Sequence, residues 1–148
     1  MRSITQNNFM ADASSKKILV VEDEAPLRNA VADILTFENF QVLQAINGQE
    51  GLVLALKEHP DLILLDLMMP GMDGFGFLKK VKEIGGLSIP VIVCSNISDV
   101  DTINRAIKEG AEAVILKVDY SGKQLVDKVN SLVEEYYHKK TKVPEETP

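Results

Sequence analysis

Residues 62–74 read LILLDLMMPGMDG, an apolar run joined to a loop through one acidic residue, Asp66. The four residues from Leu62 to Leu65 do not alternate with polar ones, which indicates a parallel strand covered on both faces. The following residues include a proline and two glycines, which are typical of a loop. Asp66 is therefore predicted to lie at the carboxyl end of a buried strand.

Four more apolar runs of strand length occur, at residues 18–21, 40–43, 89–94 and 113–116. Helical patterns, with apolar residues three or four positions apart, follow each run and also follow residues 62–65. This fivefold alternation predicts an α/β fold, with a parallel sheet, right-handed crossovers and helices on both faces. In such sheets, sites form outside the carboxyl ends of the strands.

Two helices carry specific expectations. The fifth helix is predicted to end at Tyr136-Tyr137. The fourth is predicted to start near Ser98, and its inward side is expected to carry Val100, Ile103, Ala106 and Ile107.

Composition narrows the class of protein. The chain has 148 residues, a net charge of −6 and a single cysteine, Cys94. One cysteine cannot form an internal disulfide, which favours a reducing cytoplasm. No apolar run approaches the 20 or so residues of a membrane span, and the acidic charge argues against direct binding to nucleic acid. We expect one domain over residues 16–137, with flexible extensions at 1–15 and 138–148.

Polar residues follow four of the predicted strands, and the topology brings them to one edge of the sheet. They are Glu22, Asp23 and Glu24 after the first strand, Asp66 after the third, Ser95 after the fourth and Lys117 after the fifth. Carboxylates that converge without a cation repel one another. A hard divalent cation such as Mg²⁺ prefers oxygen ligands, so Glu22, Asp23 and Asp66 are candidate metal ligands. Glu24 is better explained by the dipole of the following helix.

A carboxylate at this position can act as a nucleophile and become an aspartyl phosphate. The ammonium of Lys117 and a divalent cation would neutralise charge on a transferring phosphoryl group, and the Ser95 hydroxyl would donate a hydrogen bond to one of its oxygens. The joint placement of these groups, rather than any single one, carries this interpretation.

The segment from Ile18 to Arg28, ILVVEDEAPLR, and the loop DLMMPGMDG starting at Asp66 resemble the receiver domain of two-component response regulators, over about residues 16–137. The resemblance implies a flavodoxin-like doubly wound fold with strand order 2-1-3-4-5. It implies that Asp66 is the phosphoacceptor and that Glu22, Asp23, Asp66 and the Met68 carbonyl hold Mg²⁺, or Mn²⁺ in its place. Ser95 and Lys117 then bind the phosphoryl group.

Three positions differ from the family pattern. Val114 and Val118 stand where the family usually has an aromatic switch residue and a proline, and Asn96 follows Ser95 where a small residue is usual. We expect phosphorylation chemistry without an aromatic switch, and a trans bond or a strained loop at Val118. The resemblance also implies that Met68 and Ile97, two residues beyond Asp66 and Ser95, border the phosphoryl group. Both side chains are apolar and cannot hold an attacking water by hydrogen bonding, so we expect slow self-dephosphorylation.

The resemblance implies a partner, which is a sensor histidine kinase or a histidine phosphotransfer protein. We expect a single-domain regulator that signals through an unidentified protein target and is no enzyme beyond its own phosphorylation and dephosphorylation at Asp66. The alternative is a pseudo-receiver, an interaction module that is never phosphorylated. A flavodoxin-like carrier is disfavoured because Glu22, Asp23 and Glu24 would repel a flavin phosphate, and an aspartyl phosphohydrolase because Met68 leaves no acid-base partner.

Overall fold

The computed structural model describes residues 16–69, 71, 73–84, 88–96, 99–116 and 122–142, the last five as backbone only. Five strands form one parallel sheet, and their bounds are β1 Lys17–Val21, β2 Gln41–Ala45, β3 Leu62–Leu65, β4 Val91–Ser95 and β5 Ala113–Leu116. The strand order is β2-β1-β3-β4-β5. The predicted α/β fold and strand order are thereby confirmed.

Within the described ranges, five helices alternate with the strands, at α1 Ala25–Phe37, α2 Gly48–Glu58, α3 Gly74–Glu83, α4 Val100–Lys108 and α5 Gly122–Lys142. Local signals explain several of their ends. Asn47, Asp73 and Asp99 cap α2, α3 and α4 by accepting a backbone N–H with their side chains. Such caps satisfy backbone donors that lack a partner inside the helix.

The core has two layers because the sheet is covered on both faces. On one face, α2, α3 and α4 pack over a cluster that includes Phe77 and Ala106. On the other face, α1 and α5 contribute Leu35 and Leu125, and Cys94 lies in this second layer. The thiol of this cysteine is buried.

The inward face predicted for α4 is partly wrong. Ala106 is fully buried, but Val100 is 67% exposed and Ile107 is 47% exposed. Successive helical residues turn by about 100° around the axis, so Val100 and Ile107 lie about 120° and 100° away from Ala106. Only the side of the apolar stripe that carries Ala106 therefore packs against the sheet, and the side that carries Val100 and Ile107 is exposed.

Another difference concerns a helix end. The fourth helix starts at Val100, after its cap Asp99, close to the predicted start near Ser98, which itself lies outside the described residues. The fifth continues through Lys142, beyond Tyr137, where the pattern predicted its end. Within the part of the chain that the structure describes, no helix combines the length and apolar character that a membrane span requires.

Candidate functional site

Two carboxylates leave neighbouring strands at the same edge of the sheet. Val21 and Leu65 are paired in the register of β1 and β3, so Glu22 and Asp66 follow them side by side. The Asp66 N–H donates to the carbonyl oxygen of Val21 at 3.1 Å, which extends the ladder beyond the strands. Both acidic residues are buried, Glu22 at 5% and Asp66 at 6% exposure.

Asp23 completes a cluster with these two residues. One carboxylate oxygen from each of Glu22, Asp23 and Asp66 lies within 4.8 Å of the others. Two oxygens on one Mg²⁺ are at most about 4.2 Å apart, twice its usual bond length. With oxygen–oxygen distances of up to 4.8 Å, all three carboxylates can bind one Mg²⁺ after small side-chain adjustments. Alternatively, one of them can bind the ion through a water molecule. The donor set consists of hard oxygens, and it suits Mg²⁺ or Mn²⁺.

Backbone amides hold two of the carboxylates in place. The N–H of Glu24 donates to Glu22 Oε2 at 3.2 Å, and the N–H of Met68 donates to Asp66 Oδ1 at 3.3 Å. Hydrogen bonds from amides to a carboxylate favour its charged form and fix its orientation. These hydrogen bonds therefore give both side chains a defined direction.

Arg28 was not predicted to belong to the site. Its Nη1 donates to the carbonyl oxygen of Glu22 at 2.9 Å, and its Nε donates to Gln44 Oε1 at 3.2 Å. A sequence signal did exist. A cation near a helix N-terminus interacts unfavourably with the helix dipole. Arg28 is the fourth residue of α1, so its presence there indicates that a specific hydrogen-bond partner compensates this cost.

The loop after Asp66 is closely packed where it enters α3. The N–H of Gly74 donates to the carbonyl oxygen of Leu67 at 2.9 Å. A Cβ atom on Gly74 would lie 2.4 Å from the Cα of Leu67, which is far inside van der Waals contact. The predicted DLMMPGMDG loop thus needs glycine at this position for steric reasons.

Ser95 ends β4 and is almost fully buried, at 1% exposure. Because Leu65 pairs with Val93, Ser95 lies one residue beyond the level of Asp66 on the next strand. Val114 on β5 is half-buried and packs against the core layer under α2, α3 and α4. The Met68 side chain is 65% exposed.

Several predicted site positions lie outside the described residues. They are Lys117, Val118 and Ile97. The roles of Lys117 in phosphate binding and of the Met68 carbonyl in metal binding stay predictions.

A small cavity lies beneath Glu22 and Asp66. Its volume is about 20 Å³, and apolar groups of Leu27, Val31 and Cys94 line it together with the two acidic residues. Space of this size holds about one water molecule. This cavity is therefore too small for an organic cofactor such as a flavin.

Comparison with known proteins gives a consistent result. The family model of the response regulator receiver domain matches residues 18–130. Sporulation initiation phosphotransferase F of Bacillus subtilis is 38% identical over 97 residues, which cover 66% of this chain and 77% of that protein. A CheY-like response regulator receiver domain protein from Methanospirillum hungatei superposes with a TM-score of 0.77 at 27% identity, over 84% of this chain and 98% of that one.

Longer proteins also match. The probable transcriptional regulator ycf27 of Porphyridium aerugineum is 34% identical over 118 residues, which cover 80% of this chain and 48% of that regulator. The chain thus spans about half the length of this relative and of other ycf27 regulators that it matches.

Proposed function

The chain belongs to the response regulator receiver domain family, and we propose that Asp66 accepts a phosphoryl group from a phosphohistidine in a two-component phosphorelay. The donor is a sensor histidine kinase or a histidine phosphotransfer protein. The resulting aspartyl phosphate controls contacts with a protein target.

The observation that carries this proposal is the convergence of three carboxylates around the end of β3. Glu22, Asp23 and Asp66 bring oxygens within 4.8 Å of one another, and two of the three residues are buried. Repulsion among carboxylates is unfavourable unless a cation compensates it. Receiver domains generally bind Mg²⁺ in an acidic pocket, and this cluster supplies the donor set for it.

The chain's own residues have distinct parts in the reaction. A carboxylate oxygen of Asp66 attacks the phosphorus atom, and the phosphorus–nitrogen bond of the donor breaks with its electron pair returning to the imidazole. Glu22 and Asp23 would hold Mg²⁺ together with Asp66, and the ion would lower the charge repulsion between Asp66 and the incoming phosphoryl group. The Ser95 hydroxyl donates to a phosphoryl oxygen, and the Lys117 ammonium balances its charge.

The proposed output is a protein contact. The phosphoryl group carries about −1.5 to −2 charges at neutral pH but replaces the single negative charge of the Asp66 carboxylate. The site therefore becomes more negative by at most about one charge, beside the loops that follow β3 and β4, and these loops rearrange in response. Val114 offers no aromatic ring to move into the core, so the change is expressed in these surface loops. We propose that catalysis by the domain is limited to phosphoryl gain and loss at Asp66.

Incubation with acetyl phosphate and Mg²⁺, followed by intact mass measurement, tests the proposal. We expect one phosphoryl adduct, in which Asp66 has displaced acetate from the phosphorus. Asp66→Asn should abolish the adduct. Asp33→Asn, which removes an exposed carboxylate of α1, should leave it unchanged and is the matched control. A folded wild-type protein that gains no adduct would contradict the proposal and favour a pseudo-receiver.

A further inference from the structure

Arg28 connects the start of α1, the turn after β1 and strand β2. This connection lies at the edge of the sheet that carries the cluster of Glu22, Asp23 and Asp66. From the beginning of α1, the Arg28 guanidinium donates to the backbone carbonyl of Glu22 at 2.9 Å and to the side chain of Gln44 on β2 at 3.2 Å. The Arg28 side chain is half-buried, whereas Gln44 is exposed. A planar guanidinium suits such a bridge because its donors point in fixed directions.

The main chain of Glu22 is consequently held on both sides. Its N–H donates to the carbonyl oxygen of Ala45 at 3.1 Å, and its own carbonyl oxygen accepts from Arg28. The Glu22 carboxylate is oriented in addition by the N–H of Glu24 at 3.2 Å. With the backbone fixed in this way, the short turn from β1 to α1 has little freedom to move the carboxylates of Glu22 and Asp23.

We propose that Arg28 is a positioning residue for the divalent cation, and that it keeps the acidic turn at residues 22–24 in the geometry that binds the ion. The inference rests on the proposed function because it assumes that Glu22 and Asp23 hold Mg²⁺. Groups that support metal ligands by hydrogen bonding typically change metal affinity when they are removed.

Electrostatics alone predicts the opposite result. A positive charge near the cluster repels Mg²⁺, so its removal would strengthen binding of the cation. Positioning predicts that removal weakens binding, because the ligands lose their fixed arrangement. The sign of the change in affinity therefore separates the two effects.

The first measurement is a titration of the protein with Mg²⁺ alone, followed by the NMR shifts of backbone amides. We expect Arg28→Ala to raise the Mg²⁺ dissociation constant about tenfold, at the lower end of the usual effect of supporting residues. Arg28→Lys keeps the charge but cannot reproduce the two-armed bridge, so a loss of several-fold is expected. Gln44→Ala removes one arm of the bridge from an exposed side chain and should cause a smaller loss than Arg28→Ala, without any change of charge.

Arg105→Ala is the matched control for loss of one positive charge. Arg105 lies on α4, where its guanidinium stacks 3.8 Å from the ring centroid of Phe75, and its replacement should leave the dissociation constant unchanged. Thermal unfolding of each variant shows whether the titrations were made on folded protein. If Arg28→Ala does not fold, the Mg²⁺ dissociation constant of Gln44→Ala tests the positioning role instead. A wild-type value would then overturn it.

The second measurement is the Mg²⁺ dependence of phosphorylation by acetyl phosphate. Arg28→Ala and Gln44→Ala should raise the Mg²⁺ concentration for half-maximal rate, while the rate at saturating Mg²⁺ stays near that of the wild type. A substitution that only destabilised the fold would not raise the half-maximal Mg²⁺ concentration while leaving the rate at saturating Mg²⁺ unchanged.

Unchanged or tighter Mg²⁺ binding in Arg28→Ala, or wild-type binding in Arg28→Lys, would overturn the positioning role while leaving the proposed function intact. Absence of Mg²⁺ binding by the wild-type protein would overturn both.

Discussion

The hydroxyl of Tyr137 donates a hydrogen bond to the carbonyl oxygen of Asp61 at 2.9 Å, across 76 positions of the sequence. The contact ties α5 to the start of β3, at the edge of the sheet opposite the carboxylate cluster. The same aspartate accepts the backbone N–H of Lys17 on Oδ2 at 2.8 Å, and the Lys16 ammonium lies 4.3 Å from the centroid of the tyrosine ring. One aspartate thus connects three segments of the chain.

The first prediction concerns stability at alkaline pH. Burial, with a further contribution from the negative charge of Asp61, raises the pKa of Tyr137 from 10.0 to about 12. The folded protein therefore holds this proton more tightly than the unfolded chain. The resulting contribution to the free energy of unfolding is complete below pH 10 and is lost as the pH rises towards 12.

Tyr137→Phe should lower the free energy of unfolding below pH 10 and should remove the part of its decline between pH 10 and 12 that Tyr137 causes. Denaturant titrations of both proteins across this range measure the difference. Asp61→Asn removes the negative charge beside Tyr137 but leaves the tyrosine buried. Part of the decline in the free energy of unfolding between pH 10 and 12 should therefore remain in this variant. Equal declines in wild type and Tyr137→Phe would show that the tyrosine does not contribute.

The second prediction compares two glycines of the loop after Asp66. Alanine is ordinarily more stable than glycine in a helix, by roughly 0.5–1 kcal/mol. At Gly74 the order should be reversed, because a Cβ would lie 2.4 Å from the Leu67 Cα. We expect Gly74→Ala to cost about 1–3 kcal/mol, as overpacking does, and to slow phosphorylation by displacing the loop.

Gly71→Ala is the control in the same loop. Gly71 has a φ of +79°, and a Cβ there would meet no atom within 4 Å. Its substitution carries only the backbone cost of about 1–2 kcal/mol. Chemical denaturation of both variants gives the comparison, and a Gly74→Ala protein as stable as the wild type would refute the steric argument.

Much of the fold follows from local patterns. Continuous apolar runs such as residues 62–65 predicted the strands, and the polar residues after them predicted that Glu22, Asp23 and Asp66 would meet. These predictions succeed because parallel strands in one sheet end at the same edge. The sequence positions of the three carboxylates were sufficient once the topology was assumed.

Other features depend on contacts that no local pattern contains. The bridge from Arg28 to Gln44 and the hydrogen bond from Tyr137 to Asp61 join residues on different elements. The position of Arg28 near a helix N-terminus indicates that it has a partner, but sequence spacing does not identify which residue that partner is. On α4, periodicity identified an apolar stripe but not which border of it faces the sheet, and Val100 was therefore misplaced. Rotation of a short helix about its axis is decided by tertiary packing.

The third prediction uses Asp23 to separate charge repulsion from metal binding. Without divalent cations, Asp23→Asn should stabilise the protein by about 1 kcal/mol, the interaction of two unit charges 4 Å apart in water. With Mg²⁺ at about ten times its dissociation constant, the wild-type protein should gain about 1.4 kcal/mol, whereas the variant should gain little.

Thermal unfolding with and without Mg²⁺ measures both effects, and Asp33→Asn on the outer side of α1 is the control for a lost surface charge. A variant that is less stable than the wild type without Mg²⁺ would contradict repulsion within the cluster.

The fourth prediction concerns the lifetime of the aspartyl phosphate. Met68 is two residues beyond Asp66, and its side chain is 65% exposed, so a polar replacement could hold water there. Met68→Asn should speed loss of the phosphoryl group by about three- to tenfold, well below the 10²–10⁴-fold typically contributed by a positioned acid or base. Met68→Leu should behave like the wild type. Decay of the phosphorylated mass after removal of the phosphodonor gives the rates, and equal rates for asparagine and leucine would count against the prediction.

The last prediction concerns how the phosphorylated state is read. Val114 pairs with Val93 in the sheet and packs on the core layer beneath α4, where a branched aliphatic side chain cannot perform the large swing of an aromatic ring. Beryllium fluoride with Mg²⁺ serves as a stand-in for the phosphoryl group in amide NMR spectra. The largest shifts should then fall at residues 22–24, 66–69 and 95–96, while the amides of α4, Val100–Lys108, should change little. Val114→Tyr should extend the shifts to α4 at a cost of about 1–3 kcal/mol for overpacking. Large shifts along α4 in the wild-type protein would instead demonstrate propagation without an aromatic side chain at position 114.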